Sequence, residues 1–200
     1  MGDPHVNERW ARALLEELVR GGVRHAVVCP GSRSSPLAHA CATTEGLRTW
    51  SVIDERSAGF FALGMAKQSR RPVALVCTSG TAGAHFYPAV IEASLSQVPL
   101  VVLTADRPPE LQGWGAPQTV PQARFFGEFA RQFVDVGLPE ADDAVLLHLR
   151  ATVSRAVGVA GRAPRGAVQL NVPFREPLAP GAGPFDAGHL SPREIGRAHV

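Results

Sequence analysis

The chain has 200 residues, of which 45% are hydrophobic and 19% are charged, a balance that predicts one domain with a sizeable core and a tail. Its formal net charge is +2, and it has neither a basic block nor a basic stripe interleaved with aromatic residues. Since nucleic-acid binders usually carry such features, we expect no nucleic-acid partner. No stretch approaches the roughly 18 apolar residues that cross a bilayer, so we also expect no membrane span.

The three cysteines, Cys29, Cys41 and Cys77, form an odd set without C-x-x-C spacing. Cys29 and Cys77 lie inside apolar runs, and we expect all three to be reduced, mostly buried side chains of a cytosolic protein. The first ten residues, MGDPHVNERW, are polar and lack the features of a signal peptide. These observations favour a cytoplasmic location.

Apolar periodicity and turn residues predict alternating helices and strands along the first half of the chain. Helices are expected at residues 7–20, 36–45 and 57–69, and strands at residues 24–29, 47–53 and 71–77. The third of these strands, RPVALVC, is dominated by apolar residues, which is typical of a strand buried on both faces of a sheet.

The second half continues the alternation around one long loop. Helices are expected at residues 80–97, with a possible kink at Pro88, near residues 122–131 and at about 141–159, and strands at residues 98–105, 133–137 and 166–172, with a Pro/Gly-rich loop at about 106–121. Six strands in alternation with helices predict an α/β fold with a six-stranded parallel sheet and helices on both of its faces.

The composition changes near the end of the chain. From Pro173 onward it turns to Pro, Gly and Ala without periodicity, and we expect the domain to cover residues 1–178 and a linker to cover residues 179–193. The DNA string gag-atc-gga-aga-gca-cac-gtc, which resembles a common sequencing adapter, would encode residues 194–200, EIGRAHV. We expect these residues to be an artefact of a shortened gene sequence, with an ordinary polar tail as the alternative.

Four strand ends carry the polar motifs of the sequence. They read CPGSRSSP, DERS, CTSGTAG and TADRPPE in chain order. In an open parallel sheet, ligands bind outside the carboxyl ends of the strands, so these motifs should converge on one edge. The hydroxyls, arginines, glycines and single Asp-Glu pair found there predict a polar binding edge.

Two arginines of this edge are candidates for anion binding. Arg33 and Arg107 can each hold a carboxylate or phosphate through two parallel N–H bonds, and Ser32 with the Gly31 loop can add donors. The alternative interpretation is that Arg33 is solvated and that Arg107 caps a helix C-terminus.

The TSGTAG segment places Ser79, Gly80 and Thr81 at an expected helix N-terminus, where exposed N–H groups favour an anion. It is neither a Walker A loop nor a G-x-S-x-G nucleophile elbow. Simple N-capping by Ser79 or Thr81 is the alternative. No paired histidine spacing is present, so we predict no metal ligands in this chain. No G-x-G-x-x-G is present either, so the sequence lacks the fingerprint of a dinucleotide-binding site.

Glu55 stands in DERS, where a strand gives way to a helix of small apolar residues. A carboxylate in the first helical turn gains about 0.3–1 kcal/mol from the helix dipole, so capping would explain it. A carboxylate with apolar neighbours can also share a proton in catalysis. The pattern alone leaves both interpretations open.

Three longer segments carry a resemblance to a known family. CPGSRSSPLAHA, DERSAGFFALGMAKQSRRPVALVCTSGTAGAHFYPAVIEA and LTADRPPELQGWGAPQTV resemble the pyrimidine-binding domain of the 2-succinyl-5-enolpyruvyl-6-hydroxy-3-cyclohexene-1-carboxylate synthases, which are thiamine-diphosphate enzymes of menaquinone synthesis. The resemblance covers roughly residues 7–178. The combination PGSRS, DER, TSGT and TADRPPEL is specific for this family, whereas a glutamate after the second strand is shared more widely among thiamine-diphosphate enzymes.

The resemblance implies a role for each motif. Glu55 would hydrogen-bond N1′ of the cofactor's aminopyrimidine ring and so promote loss of the thiazolium C2 proton. The substrates would be 2-oxoglutarate, which loses carbon dioxide, and isochorismate, which accepts the remaining unit. The residues placed beside isochorismate are Ser32, Arg33, Arg107 and Gln118, and those placed near cofactor or substrate are Ser79 and Thr81.

The resemblance also implies parts that this sequence does not contain. The family binds the diphosphate and a magnesium or manganese ion through a Gly-Asp-Gly…Asn motif in a separate C-terminal domain, and its site forms between two subunits. We therefore expect a homodimer or homotetramer for the complete protein and no activity for this chain alone. A stand-alone, non-catalytic anion-binding module and another thiamine-diphosphate carboligase are the alternatives.

Overall fold

A computed structural model describes residues 5–180 of the chain. The helices are α1 (Val6–Arg20), α2 (Ser35–Thr43), α3 (Glu55–Ser69), α4 (Tyr87–Leu95) and α5 (Asp143–Gly161). The strands are β1 (His25–Val28), β2 (Arg48–Ser51), β3 (Val73–Cys77), β4 (Leu100–Asp106), β5 (Ala130–Asp135) and β6 (Ala167–Pro173).

The six strands form one sheet in the order β2-β1-β3-β4-β6-β5, and every neighbouring pair is parallel. Strands β3, β4 and β6 are buried along their whole length, as apolar central strands of a parallel sheet should be. The predicted α/β fold with a six-stranded parallel sheet is confirmed.

Helices cover both faces of the sheet and create two hydrophobic cores. Helices α1, α2 and α5 pack on one face through side chains such as Trp10, Leu37 and Leu149. Helices α3 and α4 pack on the other face, where Phe86 and Phe126 are fully buried. This division follows from right-handed crossovers, because the connections that run in opposite directions along the sheet place their helices on opposite faces.

The strand order reverses direction at two places along the sheet. After β1 the chain moves to the edge strand β2 and then crosses back over β1 to β3. After β4 the chain moves to the edge strand β5 and then returns to β6. Ligand crevices form outside the carboxyl ends of strands at such reversals. The fold therefore offers two adjoining crevices, one between β1 and β3 and one between β4 and β6.

Two expected helices differ from the structure. Residues 80–97 form a 3-10 helix, Gly80–Phe86, followed by α4, and Pro88 stands in the first turn of α4 instead of kinking a longer helix. The helix expected near residues 122–131 is wrong, since only a short 3-10 turn, Gly127–Phe129, forms there before β5. Gly127 has a φ of 51°, a left-handed conformation that does not continue a helix.

The segment after β6 still belongs to the packed core. Phe174 is fully buried and Leu178 is 7% exposed, although the composition here already resembles a linker. Asn7 donates to the carbonyl oxygens of Arg175 and Pro177, both at 2.8 Å, and ties this segment to α1. Most of the expected linker and the whole suspected artefact at residues 194–200 lie outside the described residues, so these domain boundaries stay predictions.

Among residues 5–180, no helix combines the length and the apolar character that crossing a bilayer requires.

Candidate active site

The loop after β1 fixes the position of Arg33. A Cβ atom on Gly31 would lie 2.5 Å from Thr78 Cβ, so only glycine lets the loop pass this closely to the end of β3. The Ser34 hydroxyl donates to the Gly31 carbonyl oxygen at 3.0 Å and closes the turn. The 3-10 helix that follows carries Arg33 at the carboxyl edge of the sheet.

Arg33 is buried, with 7% of its surface exposed, and is not the solvated side chain of the alternative interpretation. Its Nη1 donates to the Phe174 carbonyl oxygen at 2.8 Å, and its Nη2 lies 3.1 Å from Glu176 Oε1. Its Nε is buried and has no hydrogen-bond partner within residues 5–180. Since an unsatisfied buried donor costs about 1–3 kcal/mol, this site favours a ligand that brings an acceptor oxygen.

Arg107 follows β4 and approaches the same place from another strand. Its Nη1 donates to the Ser79 hydroxyl, so it does not cap a helix C-terminus. Burial first, and then repulsion from Arg33, hold the pKa of Arg107 below its ordinary value. The structure thus brings two guanidinium groups at the same sheet edge within electrostatic reach of each other, and such a pair attracts an anion with more than one acceptor oxygen.

Gln118 reaches this cluster from the long loop after β4. Its Nε2 donates to the Ser79 carbonyl oxygen at 3.2 Å. A Cβ atom on Gly80 would lie 2.8 Å from Gln118 Cγ, and Gly80 has a φ of 84°, so both the contact and the backbone conformation require glycine. Arg33, Arg107 and Gln118 therefore meet around the backbone that follows β3.

Ser32 and Thr81 lie at the same edge but are exposed, and neither side chain makes a hydrogen bond within the described part of the chain. Ser79 is fully buried, and its hydroxyl accepts from Arg107 instead of capping the helix. The expected α-helical N-terminus at Gly80 is instead the first residue of a 3-10 helix that runs directly into α4. The roles expected for Ser32, Ser79 and Thr81 stay predictions.

In the DER segment, Asp54 and not Glu55 caps helix α3. Asp54 is the N-cap of α3, and its Oδ1 accepts from the Ser57 backbone N–H at 2.9 Å. Arg56 donates to Asp54 with a shortest distance of 2.6 Å, and this bond holds the pKa of Asp54 well below its ordinary value. Glu55 is half-buried, and its carboxylate makes no hydrogen bond or ion pair within residues 5–180. Capping is therefore the role of Asp54, and Glu55 is left available.

Two buried thiols lie within electrostatic reach of Glu55. Burial raises the pKa of Cys29 to about 12, and the negative charges of Glu55 and Asp54 add to the effect. Burial likewise raises the pKa of Cys77, with further contributions from Cys29 and Glu55. The Glu55 carboxylate thus lies within electrostatic reach of the ends of β1 and β3, where both thiols are neutral.

A buried polar network under the long loop was missed by sequence reasoning. Gln122 accepts from the Gly80 backbone N–H at 2.7 Å and donates to the Ala105 carbonyl oxygen at 3.1 Å and to Asn171 Oδ1 at 2.9 Å. One side chain therefore links the ends of β3, β4 and β6. The detectable signal is the presence of Gln169 and Asn171 in an otherwise apolar strand.

Asn171 extends this network to two carboxylates. Its Nδ2 donates to Asp106 at 2.8 Å and to Asp135 at 3.0 Å. Burial raises the pKa of Asp106, against the hydrogen bonds from Asn171 and from the Arg107 backbone N–H. The network fixes the backbone that carries Arg107.

Glu176 is the other residue that the sequence did not reveal. It contacts Arg33 although it stands in a segment whose composition suggests a linker. The signal was available in the rule applied to the other strands, because Glu176 closely follows the end of β6 at the same edge of the sheet.

The residues at this edge fit one part of thiamine diphosphate. The free carboxylate of Glu55 beside apolar thiols suits a ring nitrogen that carries or accepts a proton. No group of three or more His, Cys, Asp or Glu side chains that could hold a metal ion is found among residues 5–180. The described residues therefore fit the aminopyrimidine ring, whereas they do not supply a magnesium site for the diphosphate.

Comparisons with known proteins agree with this geometry. Residues 8–125 match the family described as thiamine pyrophosphate enzyme, N-terminal TPP binding domain. A 2-succinyl-5-enolpyruvyl-6-hydroxy-3-cyclohexene-1-carboxylate synthase of Myxococcus xanthus is 81% identical over 189 residues, which cover 94% of this chain and 32% of the relative. The synthase of the same name from Chloroflexus aurantiacus is 59% identical over 171 residues, or 86% of this chain and 29% of the relative.

The chain therefore belongs to the thiamine pyrophosphate enzymes and contains the N-terminal TPP binding domain of that family. Within the family, the resemblance seen in the sequence motifs is confirmed, because the relatives that align over most of this chain carry the synthase name. The chain spans about a third of the length of these relatives, 32% in the case of Myxococcus xanthus.

Proposed function

We propose that this chain supplies the pyrimidine-binding half of the active site of a longer thiamine-diphosphate-dependent transferase. The complete enzyme decarboxylates 2-oxoglutarate and adds the remaining four-carbon unit to isochorismate, a step of menaquinone biosynthesis. The name of the relatives supports the product, and the matched family supports the cofactor.

The proposal rests above all on the Glu55 carboxylate, which makes no hydrogen bond or ion pair within residues 5–180. Its two charged neighbours, Asp54 and Arg56, bind each other, while the Glu55 carboxylate has no partner within residues 5–180. A half-buried carboxylate at the carboxyl edge of a parallel sheet that bonds to no described residue does not stabilise the fold through a hydrogen bond or an ion pair. A proton-sharing contact with a ligand accounts for it.

Glu55 would hold N1′ of the aminopyrimidine ring and exchange a proton with it. When bound, thiamine diphosphate supplies the electron sink that makes decarboxylation of a 2-oxo acid and carbon–carbon bond formation possible. Cys29 and Cys77 would line the ring position and keep water from Glu55, since both thiols are buried and stay neutral.

The arginine pair would bind the isochorismate carboxylates. Arg33 offers a buried Nε that has no partner within residues 5–180, and Arg107, bonded to Ser79, lies within electrostatic reach of Arg33. Gln118 and Ser32 lie at the same edge and would donate to the remaining substrate oxygens. The carboxylates would thereby be oriented toward the carbon that receives the four-carbon unit.

The diphosphate and its magnesium ion would be held outside the described residues, and a second subunit would complete the site in a homodimer or homotetramer. Exposed apolar side chains at and near α3 support a second subunit: Ile53 is 84% exposed, Phe60 51% and Phe61 41%. A cytoplasmic location is part of this proposal.

The proposal is tested in the full-length protein with thiamine diphosphate, magnesium, 2-oxoglutarate and isochorismate. We expect product formation that needs both substrates, and a loss of at least about 100-fold in the Glu55→Gln variant. Glu128→Gln, which changes an exposed carboxylate on the turn before β5, is the matched control and should keep its activity. Equal turnover in the wild type and Glu55→Gln would refute the role of Glu55, and no use of isochorismate would refute the reaction.

A further inference from the structure

Glu176 occupies an unusual position beside the arginine pair. Its side chain is 69% exposed, whereas the Arg33 side chain that it contacts at 3.1 Å is only 8% exposed. Arg33 is also anchored independently, because its Nη1 donates to the Phe174 carbonyl oxygen. The ion pair thus joins a fixed, buried cation to an anion that faces solvent.

The charge of Glu176 acts on both arginines. Glu176 opposes the lowering of the Arg107 pKa that burial and Arg33 produce, which places its carboxylate within electrostatic reach of Arg107 as well. Asp106 acts in the same sense but is almost completely buried and bonded to Asn171. Of these two counter-charges, only that of Glu176 is free to leave.

We propose that Glu176 is an internal competitor for the anion site. In the free protein its carboxylate neutralises Arg33, and it is released into solvent when a ligand carboxylate binds the arginine pair. Release costs little because the side chain is already largely hydrated, whereas Arg33 stays in place through its bond to Phe174.

This competition sets a requirement on the ligand. A ligand that reaches one arginine gains one ion pair and loses the one with Glu176, whereas a ligand with two carboxylates gains more than it displaces. Glu176 therefore lowers the affinity for every anion that displaces it, and only a ligand with a second carboxylate for Arg107 recovers enough binding to be held firmly. The identity of the natural dianion rests on the proposed function, but the competition itself does not.

The test compares Glu176→Gln with Glu110→Gln by calorimetric titration of the full-length, cofactor-loaded protein at fixed ionic strength. Glu110 is the matched control, because it is also exposed and also paired with an arginine, Arg175, whose side chain is itself exposed. The ligands are malonate, acetate and isochorismate. Thermal unfolding of each variant verifies the fold.

We expect Glu176→Gln to bind malonate and isochorismate about three- to tenfold more tightly and to bind acetate detectably, while Glu110→Gln stays within about twofold of the wild type. Unchanged affinity in Glu176→Gln would overturn the inference, and so would weaker binding, which would make Glu176 a support for Arg33. If isochorismate binds no better than malonate, the proposed substrate fails, while the malonate comparison still decides the role of Glu176.

Discussion

Arg33 is a buried cation whose hydrogen-bonding capacity is incompletely used within residues 5–180. If Arg33 binds the substrate as proposed, Arg33→Gln removes a charge-assisted contact worth about 1.5–3 kcal/mol. We therefore expect the KM for isochorismate to rise about 10- to 100-fold in steady-state assays of the full-length protein, with little change in the KM for 2-oxoglutarate. Arg175→Gln removes an exposed arginine and is the control. An unchanged isochorismate KM in Arg33→Gln would contradict the assignment.

The buried thiols give a second prediction for single residues. Because burial raises the pKa of Cys29 and Cys41 to about 12, almost no thiolate exists in the folded chain at pH 8. A disulfide reagent such as dithionitrobenzoate should react with less than about one tenth of the thiols before unfolding, and with all three cysteines in guanidinium chloride. Rapid labelling of the native chain would contradict the buried positions.

The same shift makes stability depend on pH in the alkaline range. The pKa of Cys41 is raised from 9.0, so its contribution is fully present below pH 9 and is lost as the pH rises toward 12. The loss should amount to about 1.4 kcal/mol per pH unit for this thiol. Urea unfolding between pH 8 and 10.5 measures it, and Cys41→Ala should show a correspondingly smaller slope. Parallel slopes in the two proteins would refute the linkage.

The start of α3 depends on Asp54 as its cap. Asp54→Ala removes both the bond to the Ser57 N–H and the ion pair with Arg56, whereas Asp54→Asn keeps an acceptor for the cap. We expect Asp54→Ala to lower the thermal midpoint more than Asp54→Asn, and to lower cofactor affinity because the first turn carries Glu55. Equal midpoints in the two variants would show that the cap does not hold this turn.

Gln122 connects three strand ends, so its replacement should affect the whole carboxyl edge. Gln122→Ala leaves the Gly80 N–H and the Ala105 carbonyl oxygen without their partners in a buried place, at about 1–3 kcal/mol per unsatisfied group. Chemical unfolding should show a loss in this range or above it. Gln118→Ala, which removes an exposed side chain with one bond, should lose less than about 0.5 kcal/mol and serves as the stability control.

At the level of the whole molecule, hydrophobic periodicity and the residues at the strand ends were sufficient to predict the parallel sheet and the edge at which the site residues lie. The run VALVC is apolar because both faces of β3 are covered, and Arg33 and Arg107 meet because the carboxyl ends of parallel strands share an edge. The segment at residues 122–131 was predicted wrongly as a helix. Its apolar residue Phe126 packs into the core from a loop and does not belong to the apolar face of a helix.

Other features depend on contacts that no local pattern encodes. Glu176 stands in a stretch whose Pro, Gly and Ala content carries no periodicity, and only the buried positions of Phe174 and Leu178 on either side show that this stretch packs on the domain. Gln122 has no motif of its own, and its role follows only from the backbone groups that three distant segments turn toward it. The capping question at DER required the geometry as well, because either carboxylate could have taken the cap.

We propose that two groups at this edge act on different ligands: Glu55 on the cofactor and the arginine pair on the substrate. The most direct measurement is the exchange of the thiamine C2 proton for deuterium, followed by NMR after acid quench in the full-length protein. We expect Glu55→Gln to slow exchange at least about 100-fold and Arg33→Gln to leave it within about twofold of the wild type. Normal exchange in Glu55→Gln, or equal slowing in both variants, would contradict this proposal.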